Sequence, residues 1–188
     1  MKSMSGSVKL LLALMGCSFL FGIQPARAVE VNIKITGTIL IPPCKINRND
    51  AEIQVLFGKM SLYDVDGQKN AQTKTVTVNC DYYQGTPYVL IDGPVLQGAG
   101  DNVLKTTGAN PSALGIALYQ GSDVNTAHPL RTGTREQGKY GYKITRGLTG
   151  QNRASGTFTF TAVPVKYGSG ALTAGMFSAT ATMKISYL

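Results

Sequence analysis

The chain has 188 residues, is 43% hydrophobic, lacks Trp, and carries 18 basic against 10 acidic residues for a formal net charge of +8. Once an N-terminal export segment is set aside, this length holds one ordinary domain with a sizeable core and excludes a second one. The basic balance would suit a polyanionic partner, but export excludes nucleic acid from that role.

The first 28 residues have the pattern of a secretory signal. Lys2 and Lys9 give a basic start, residues 8–23 are mostly apolar, and Ala26 and Ala28 occupy the first and third positions of an A-x-A site. This pattern predicts a signal peptide over residues 1–28 and a mature domain over residues 29–188. A lipoprotein signal at Cys17 is the alternative, although the apolar run continues past that cysteine.

The mature chain keeps a moderate positive charge. Removing Lys2, Lys9 and Arg27 from the 18 basic residues leaves 15 against 10 acidic ones, a net charge of +5. Basic residues are densest over residues 131–153, where an acidic partner surface or an anionic glycan could bind. A solvated strand face with loops is the simpler interpretation.

Two cysteines remain after cleavage. Cys44 and Cys80 form an even pair in an exported chain, which predicts a disulfide bond with 35 residues between its ends. Such a loop is worth roughly 3–4 kcal/mol in the chain-entropy model. Two buried free thiols are the alternative. The sequence has no C-x-x-C pair and no Cys/His cluster, so we expect no metal.

The mature N-terminus begins with a long alternating run. Apolar residues or glycine occupy every second position, in this order: Val29, Val31, Ile33, Ile35, Gly37, Ile39 and Ile41. Period-two alternation predicts an extended strand, and thirteen residues would span roughly 43 Å. Because a typical strand has about 5–6 residues, the second half can join the domain's own sheet while the first half pairs elsewhere.

Seven further runs predict strands in chain order: residues 53–57, 76–80, 87–91, 114–120, 140–144, 158–162 and 177–187. Gly- and Asp-rich turns separate them, and residues 121–138 are expected to form a loop. No convincing helix appears. Many short strands with Thr-rich faces predict an antiparallel β-sandwich.

The two ends of the mature chain complement each other. A spare strand precedes the domain, and the last predicted strand reaches Tyr187 with nothing after it to cover its outer edge. A head-to-tail polymer satisfies both ends. Closure within one chain, with the first strand beside the last, satisfies them equally well, and the pattern alone leaves both open.

Several motifs together resemble the pilins of the bacterial chaperone–usher pathway. The alternating run ends in Pro42, Pro43 and Cys44, an FG pair stands at Phe57, Gly175 is 14th from the end and Tyr187 is penultimate. The resemblance covers residues 29–188. Within the family, IPPCKIN, GIALYQG, TFTFTAVP and GSGAL are most similar to the minor tip adaptor of P-type pili.

The resemblance implies an all-β, incomplete immunoglobulin-like sandwich of six strands whose seventh strand comes from another molecule. Strand addition of this kind is a known binding mode. The implied partners are a periplasmic pilus chaperone, an outer-membrane usher and neighbouring pilins including the adhesin. The implied location is the cell-surface fimbrium, reached through the periplasm.

The family pattern also assigns site residues. The donor strand lies within residues 29–39 and the sandwich within residues 40–188, with these donor residues: Val31, Ile33, Ile35, Gly37 and Ile39. The receiving groove and chaperone contact involve the C-terminal residues Gly175, Phe177, Ala179, Ala181, Met183, Ile185, Tyr187 and Leu188. The carboxylate of Leu188 is expected to meet basic residues of the chaperone.

The function that follows is a minor fimbrial subunit, acting as a tip adaptor that joins the adhesin to the fibre. A major or linker shaft pilin is the alternative, and a secreted carbohydrate-binding sandwich using Tyr82, Tyr83 and Tyr88 is a more distant one. Gly133 to Lys139 resembles the start of a P-loop, but Tyr140 follows where Ser or Thr is needed. We expect no enzyme activity, cofactor or small-molecule substrate, and His128 has no catalytic pattern around it.

Overall fold

The computed structural model describes residues 30–134 and 136–188. The predicted signal peptide, its cleavage site and Val29 lie outside the described residues. The chain divides into two units, Met1–Thr38 and Ile39–Leu188. The predicted boundary between donor strand and sandwich stays a prediction.

All of the described strands belong to the second unit. In chain order they are β1 Lys45–Ile46, β2 Gln72–Asn79, β3 Pro87–Asp92, β4 Val103–Lys105, β5 Thr107–Gly108, β6 Leu114–Gln120, β7 Tyr142–Lys143, β8 Ser155–Lys166, β9 Phe177–Ser178 and β10 Thr182–Tyr187.

These strands form a five-stranded sheet in the order β1-β2-β8-β6-β4, a three-stranded sheet β10-β3-β7 and a small pair β5-β9. Every ladder is antiparallel. Alternate residues of the two larger sheets, among them Val76, Phe158, Val89 and Ile185, are buried in one shared core. The predicted antiparallel sandwich is therefore confirmed.

The opposite face of the five-stranded sheet has two different surfaces. Towards β4, Ala117 and Val163 are buried in a second, smaller core with Leu96. This explains why β6 is buried on both faces, whereas its alternation predicted only one. Towards β2, paired hydroxyls cover the same face, with Thr75 and Thr159 oxygens 2.8 Å apart.

Helical structure is limited to single turns within the described residues. Asn47–Asp50 is a turn in which all four residues have positive φ, between 47° and 68°. Asn and Asp tolerate this left-handed conformation best, because their short side chains bond locally. Here the Asp50 carboxylate accepts the Ile46 N–H at 2.9 Å. Two 3₁₀ turns, Leu62–Asp64 and Gly138–Tyr140, complete the set.

Within the described residues, the strand predicted over residues 29–41 does not join the domain's own sheet. Residues 30–44 form no strand, and pairing starts only at Lys45–Ile46 against the end of β2. Pro42 and Pro43 explain the late start, because proline has no N–H to donate to a ladder.

The prediction for residues 53–57 was half correct. Ile53, Val55 and Phe57 are partly buried and pack against the main core, whereas the residues between them are exposed. The segment joins no ladder. Alternation reports which side chains face the core. It does not report whether a neighbouring backbone lies within hydrogen-bonding distance.

Two other strand predictions need correction, and two short strands were not predicted. The run at 177–187 is broken, because β9 pairs with β5 while β10 pairs with β3, and residues 179–181 join neither ladder. Tyr140 belongs to a 3₁₀ turn, so only Tyr142–Lys143 is a strand in that run. Strands β4 and β5 were missed, since pieces of three and two residues are too short to show alternation.

Candidate functional site

The last strand has one bare edge. β10 pairs with β3 along one side, and within the described residues no strand pairs with its other side. A single backbone bond reaches that side, from the Cys44 N–H to the Ile185 carbonyl at 2.7 Å. A free row of N–H and C=O groups is a template for another strand.

Beside this edge the main core is incompletely covered. Ile53, Val55 and Phe57 on one segment, and Phe177, Ala179 and Met183 on the last one, pack against the core but stay partly exposed. We call this seam between the two segments the groove. At one end the Phe57 and Phe177 rings meet, with centroids 6.1 Å apart.

A small cavity lies at the Phe177 end of the groove. Its volume is about 120 Å³. Apolar residues supply much of its lining, including Met60, Leu62, Val65, Leu114, Leu172 and Phe177. Asn110 fixes one wall, because its side-chain oxygen accepts the Thr173 N–H at 2.8 Å and its nitrogen donates to the Thr173 carbonyl at 2.8 Å.

The other end of the last strand is held by its backbone. Thr86 N–H donates to the terminal Leu188 oxygen at 2.6 Å, and Leu188 N–H donates to the Thr86 carbonyl at 2.9 Å. Gly85 has φ +98°, and a Cβ there would overlap the Leu188 carbonyl oxygen. Only glycine fits this position without moving the chain end.

The predicted groove residues divide by burial. Phe177, Ala179 and Met183 are partly exposed and line the groove, whereas Ile185 and Tyr187 are 0% and 2% exposed and belong to its floor. Burial raises the pKa of the Tyr187 phenol, against a smaller opposite effect of a backbone hydrogen bond at Asn152. Gly175 lines the small cavity, Ala181 is exposed and Leu188 is half-buried. Their assignment to partner binding stays a prediction.

The predicted donor residues present apolar side chains to solvent. Val31, Ile33 and Ile35 are 78%, 82% and 90% exposed, and Ile39 is fully exposed. A Cβ on Gly37 would meet nothing within 4 Å. Four large β-branched side chains are thus exposed along one segment, and their assignment to strand donation stays a prediction.

The predicted disulfide is confirmed. Cys44 and Cys80 are bonded across a sequence separation of 36, and both are buried. The bond joins the residue before β1 to the residue after β2. Because the Cys44 N–H also donates to the Ile185 carbonyl, Cys44 connects the start of β1, the end of β2 and the last strand at one point.

Sequence reasoning missed one wall of the groove and the fixation of the chain end. The alternation at Ile53, Val55 and Phe57 is visible in the sequence, but it predicts an ordinary ladder strand. Gly85 carried no signal, since a glycine in a loop is common and its contact with Leu188 is made across about 100 residues.

The rival candidates from the sequence lie in a loop, in a 3₁₀ turn and around strand β3. His128 lies in a loop with its Nδ1 2.9 Å from the Thr145 hydroxyl. Gly138–Tyr140 forms a 3₁₀ turn, which is not the helix that follows a P-loop. Tyr82 is 40% exposed, and Tyr83 and Tyr88 are partly buried.

Two further kinds of site are absent from the described part of the chain. Across residues 30–134 and 136–188, no three or more His, Cys, Asp or Glu side chains are grouped to hold a metal ion. None of the helices in that part of the chain has the length and hydrophobicity to cross a membrane.

Comparison with known proteins agrees with this architecture. The family model described as fimbrial protein matches residues 33–188. The chain is 40% identical over 162 residues to the fimbrial adapter PapF of Escherichia coli, covering 86% of this chain and 90% of PapF. It is 39% identical, with the same coverage, to the minor fimbrial protein PrsF of Escherichia coli.

Solved structures give the same result for the fold. A structure of the P pilus adaptor subunit PapF superposes with a TM-score of 0.53 and 34% identity, over 80% of this chain and all of that one. The P pilus rod subunit PapA superposes with a TM-score of 0.52 over 84% of this chain and all of its own, and at 22% identity this shows the fold alone.

A bare edge beside an open core, on an antiparallel sandwich shared with two pilus subunits, defines an immunoglobulin-like pilin. The chain belongs to the fimbrial protein family. It is an exported subunit of a cell-surface fimbrium, and the family consists of structural subunits.

Proposed function

We propose that this chain is a minor fimbrial subunit that joins two different pilus subunits as an adaptor, by donor-strand exchange at both ends. PapF, a relative that is called a fimbrial adapter, is 40% identical over 90% of its length. A shaft role is less favoured, because PapF and PrsF are named as adapter and minor protein rather than as shaft subunits.

The observation that carries the proposal is the match between what the chain lacks and what it offers. The groove lacks a strand along the free edge of β10, and the extension offers an alternating apolar strand with Ile33 and Ile35 exposed. A sandwich that was complete on its own would need neither the uncovered edge of β10 nor an exposed apolar extension. Together they describe one subunit that accepts a strand from one neighbour and donates its own to another.

Strand insertion gains free energy from apolar burial and hydrogen bonding, and it loses a comparable amount to the ordering of the extension. Burying four β-branched side chains contributes roughly 6–12 kcal/mol at about 1.5–3 each. Ladder hydrogen bonds add about 0.5–1.5 kcal/mol apiece. Ordering some ten residues costs on the order of 1–2 kcal/mol per residue. The surplus therefore depends on completing the acceptor's core, so we expect release to need partial unfolding and to be slow.

The small cavity gives the groove a defined end. A seventh strand in an immunoglobulin-like sandwich runs antiparallel to its neighbour. A donor that runs antiparallel to β10 passes its later residues over the Phe177 end. We propose that the last apolar anchor of a donor, the counterpart of Ile39, fills the cavity of about 120 Å³ there.

Two further partners belong to the proposal. A periplasmic chaperone would cover the groove before assembly, because a bare edge and an open apolar seam promote aggregation. The Leu188 carboxylate, fixed at the sheet end by Thr86, would pair with basic residues of that chaperone. The outer-membrane usher would be the place of exchange, and the adhesin one of the neighbours.

The test compares Ile35→Asp with Thr36→Asp. Both add one negative charge to the extension, but only position 35 points into the acceptor, where an unpaired charge is costly. We expect Ile35→Asp to fold, to bind its chaperone and to lose co-purification with the subunit that accepts its strand, while Thr36→Asp keeps it. Normal co-purification of Ile35→Asp would refute donor-strand exchange by this extension.

A further inference from the structure

The free edge of β10 carries a positive charge that strand insertion alone does not explain. It is Lys184, an exposed residue of that strand. We infer that Lys184 makes the groove discriminate against a donor strand with an outward lysine, and so against a second copy of this chain, whose extension contains Lys34. The inference rests on the proposed function and adds a residue that biases the subunit against polymerising with itself.

The backbone of β10 shows how Lys184 meets an incoming strand. The Ile185 carbonyl points to the free edge, because it accepts the Cys44 N–H there. Neighbouring residues of a strand direct their backbone groups to opposite sides, so Met183 also points to the free edge while Lys184 points to β3. A donor residue opposite Lys184 therefore forms a non-hydrogen-bonded pair, in which facing side chains come closest.

The side chain of Lys184 lies on the outer face of the sheet. In the ladder with β3, Met183 pairs with Ile91 and Lys184 pairs with Leu90. Met183 packs against the main core, so its neighbour Lys184 is on the opposite face, where it is exposed. An inserted strand would bury alternate residues in the same way and leave the residues between them beside Lys184.

No nearby partner neutralises Lys184. It takes part in none of the three ion pairs found in the described part of the chain. Asp92, which pairs with Thr182, is an exposed carboxylate on the same face. It belongs to β3, two strand spacings or about 10 Å from the position of a donor, whereas Lys184 is on the strand next to that donor.

The extension of this chain brings a charge of the same sign. Ile33 and Ile35 are the residues that would enter a groove, so Lys34 between them points outward, and it is exposed. The apolar side chains alone give a second copy no disadvantage, because β-branched residues at period two suit any open core of this shape. Discrimination has to come from the outward residues.

The register proposed above brings the two lysines close together. In that register the counterpart of Ile39 lies beside Phe177. Lys34 of a second copy is then opposite Thr182 and diagonal to Lys184, about 7–8 Å away. A shift of two residues keeps the same side chains inward and places Lys34 directly opposite Lys184, and the opposite shift would take Ile39 past Phe177.

Glu30, the other outward charge of the extension, does not offset this repulsion. In the same register it would pass Ile185, where Cys44 already occupies the free edge. The paired part of a second copy therefore presents one outward charge, that of Lys34, and like charges across a ladder are destabilising. A donor from a different subunit with an acidic or neutral residue at this position is accepted without that repulsion.

The experiment lets two peptides compete for one groove. Both cover residues 29–39, one with the native sequence and one with Lys34→Glu, and they carry different fluorophores. They are mixed in equal excess with the mature chain in complex with its co-purified chaperone, and the ratio of the two in the product is measured after gel filtration. We expect the Lys34→Glu peptide to exceed the native one by about two- to fivefold at low salt. The ratio should approach one at about 1 M salt, where the Debye length is about 3 Å.

The decisive variant is Lys184→Glu in the acceptor. We expect its preference to reverse, because the native Lys34 then meets an opposite charge. Lys105→Glu is the matched control, since Lys105 is an exposed lysine of β4 in the other large sheet and its substitution changes the net charge equally. It should keep the preference of the parent. A misfolded acceptor takes up neither peptide, so the ratio reports only on folded grooves.

Other outcomes would overturn the role of Lys184. These are equal uptake of the two peptides by the parent, a preference that survives Lys184→Glu, and an equal change in Lys105→Glu. Failure of the parent to take up either peptide would show that the groove excludes a second copy by shape rather than by charge, which also overturns it. Strand exchange itself is tested separately, by the co-purification of Ile35→Asp.

Discussion

Replacing Gly85 with alanine should release the C-terminal end of the last strand. The new methyl group would overlap the Leu188 carbonyl oxygen and lie 2.7 Å from its carbon, so one of the two segments has to move. That movement breaks both backbone bonds between Thr86 and Leu188, worth together about 1–3 kcal/mol. Holding alanine at φ +98° adds about 1–2 kcal/mol. The expected loss is about 2–5 kcal/mol.

A second glycine separates these two contributions. Gly168 also has positive φ, +79°, but a Cβ there would meet nothing within 4 Å, so Gly168→Ala suffers only the backbone cost. Urea unfolding of the mature chain, with its groove filled by the extension peptide of the neighbouring subunit that it accepts and followed by circular dichroism, measures both variants. If Gly85→Ala is no less stable than Gly168→Ala, the contact does not hold the chain end and the reasoning is wrong.

Three further predictions concern the core and its surroundings. Cys44→Ser with Cys80→Ser should lower the free energy of unfolding by about 4 kcal/mol from the loop length relative to oxidised wild type in the same urea titration, and reduced wild type, which also lacks the bond, should match the double variant. Because burial raises the pKa of Tyr187 in the folded state, its contribution to stability is complete below about pH 10 and falls as the pH rises beyond. Tyr187→Phe should therefore flatten the alkaline end of a stability profile, and an unchanged slope would exclude Tyr187 as the cause. Gln120→Leu should cost about 1–3 kcal/mol in the same urea titration, since the Thr145 N–H loses its acceptor at 2.8 Å in a buried position.

The sequence predicted the elements whose periodicity is long enough to read. The alternation of Val76 and Val78 located β2, and that of Phe158 and Phe160 located β8, because each strand buries one face in a shared core. The disulfide followed from an even pair of cysteines in an exported chain. These predictions depend on local pattern and composition, which a single sequence contains.

The rest depends on contacts between distant segments. Ile53 to Phe57 has a strand pattern but no ladder, and only the fold shows that this segment forms a wall of the groove. The break at residues 179–181 arises because the last strand changes partner from β5 to β3. Gly85 acts through Leu188, at the far end of the chain. Periodicity cannot report any of these.

The junction at Cys44 has a mechanical consequence. In a fibre built by the proposed strand exchange, tension under flow would enter a subunit through its extension and leave through the strand seated in its groove. Cys44 receives that load first, and its covalent bond to Cys80 prevents residues 45–79 from being pulled out as a slack loop. Its N–H on Ile185 places the point of entry beside the strand that bears the neighbour's pull. Force therefore crosses the subunit by a short route and spares most of the sandwich.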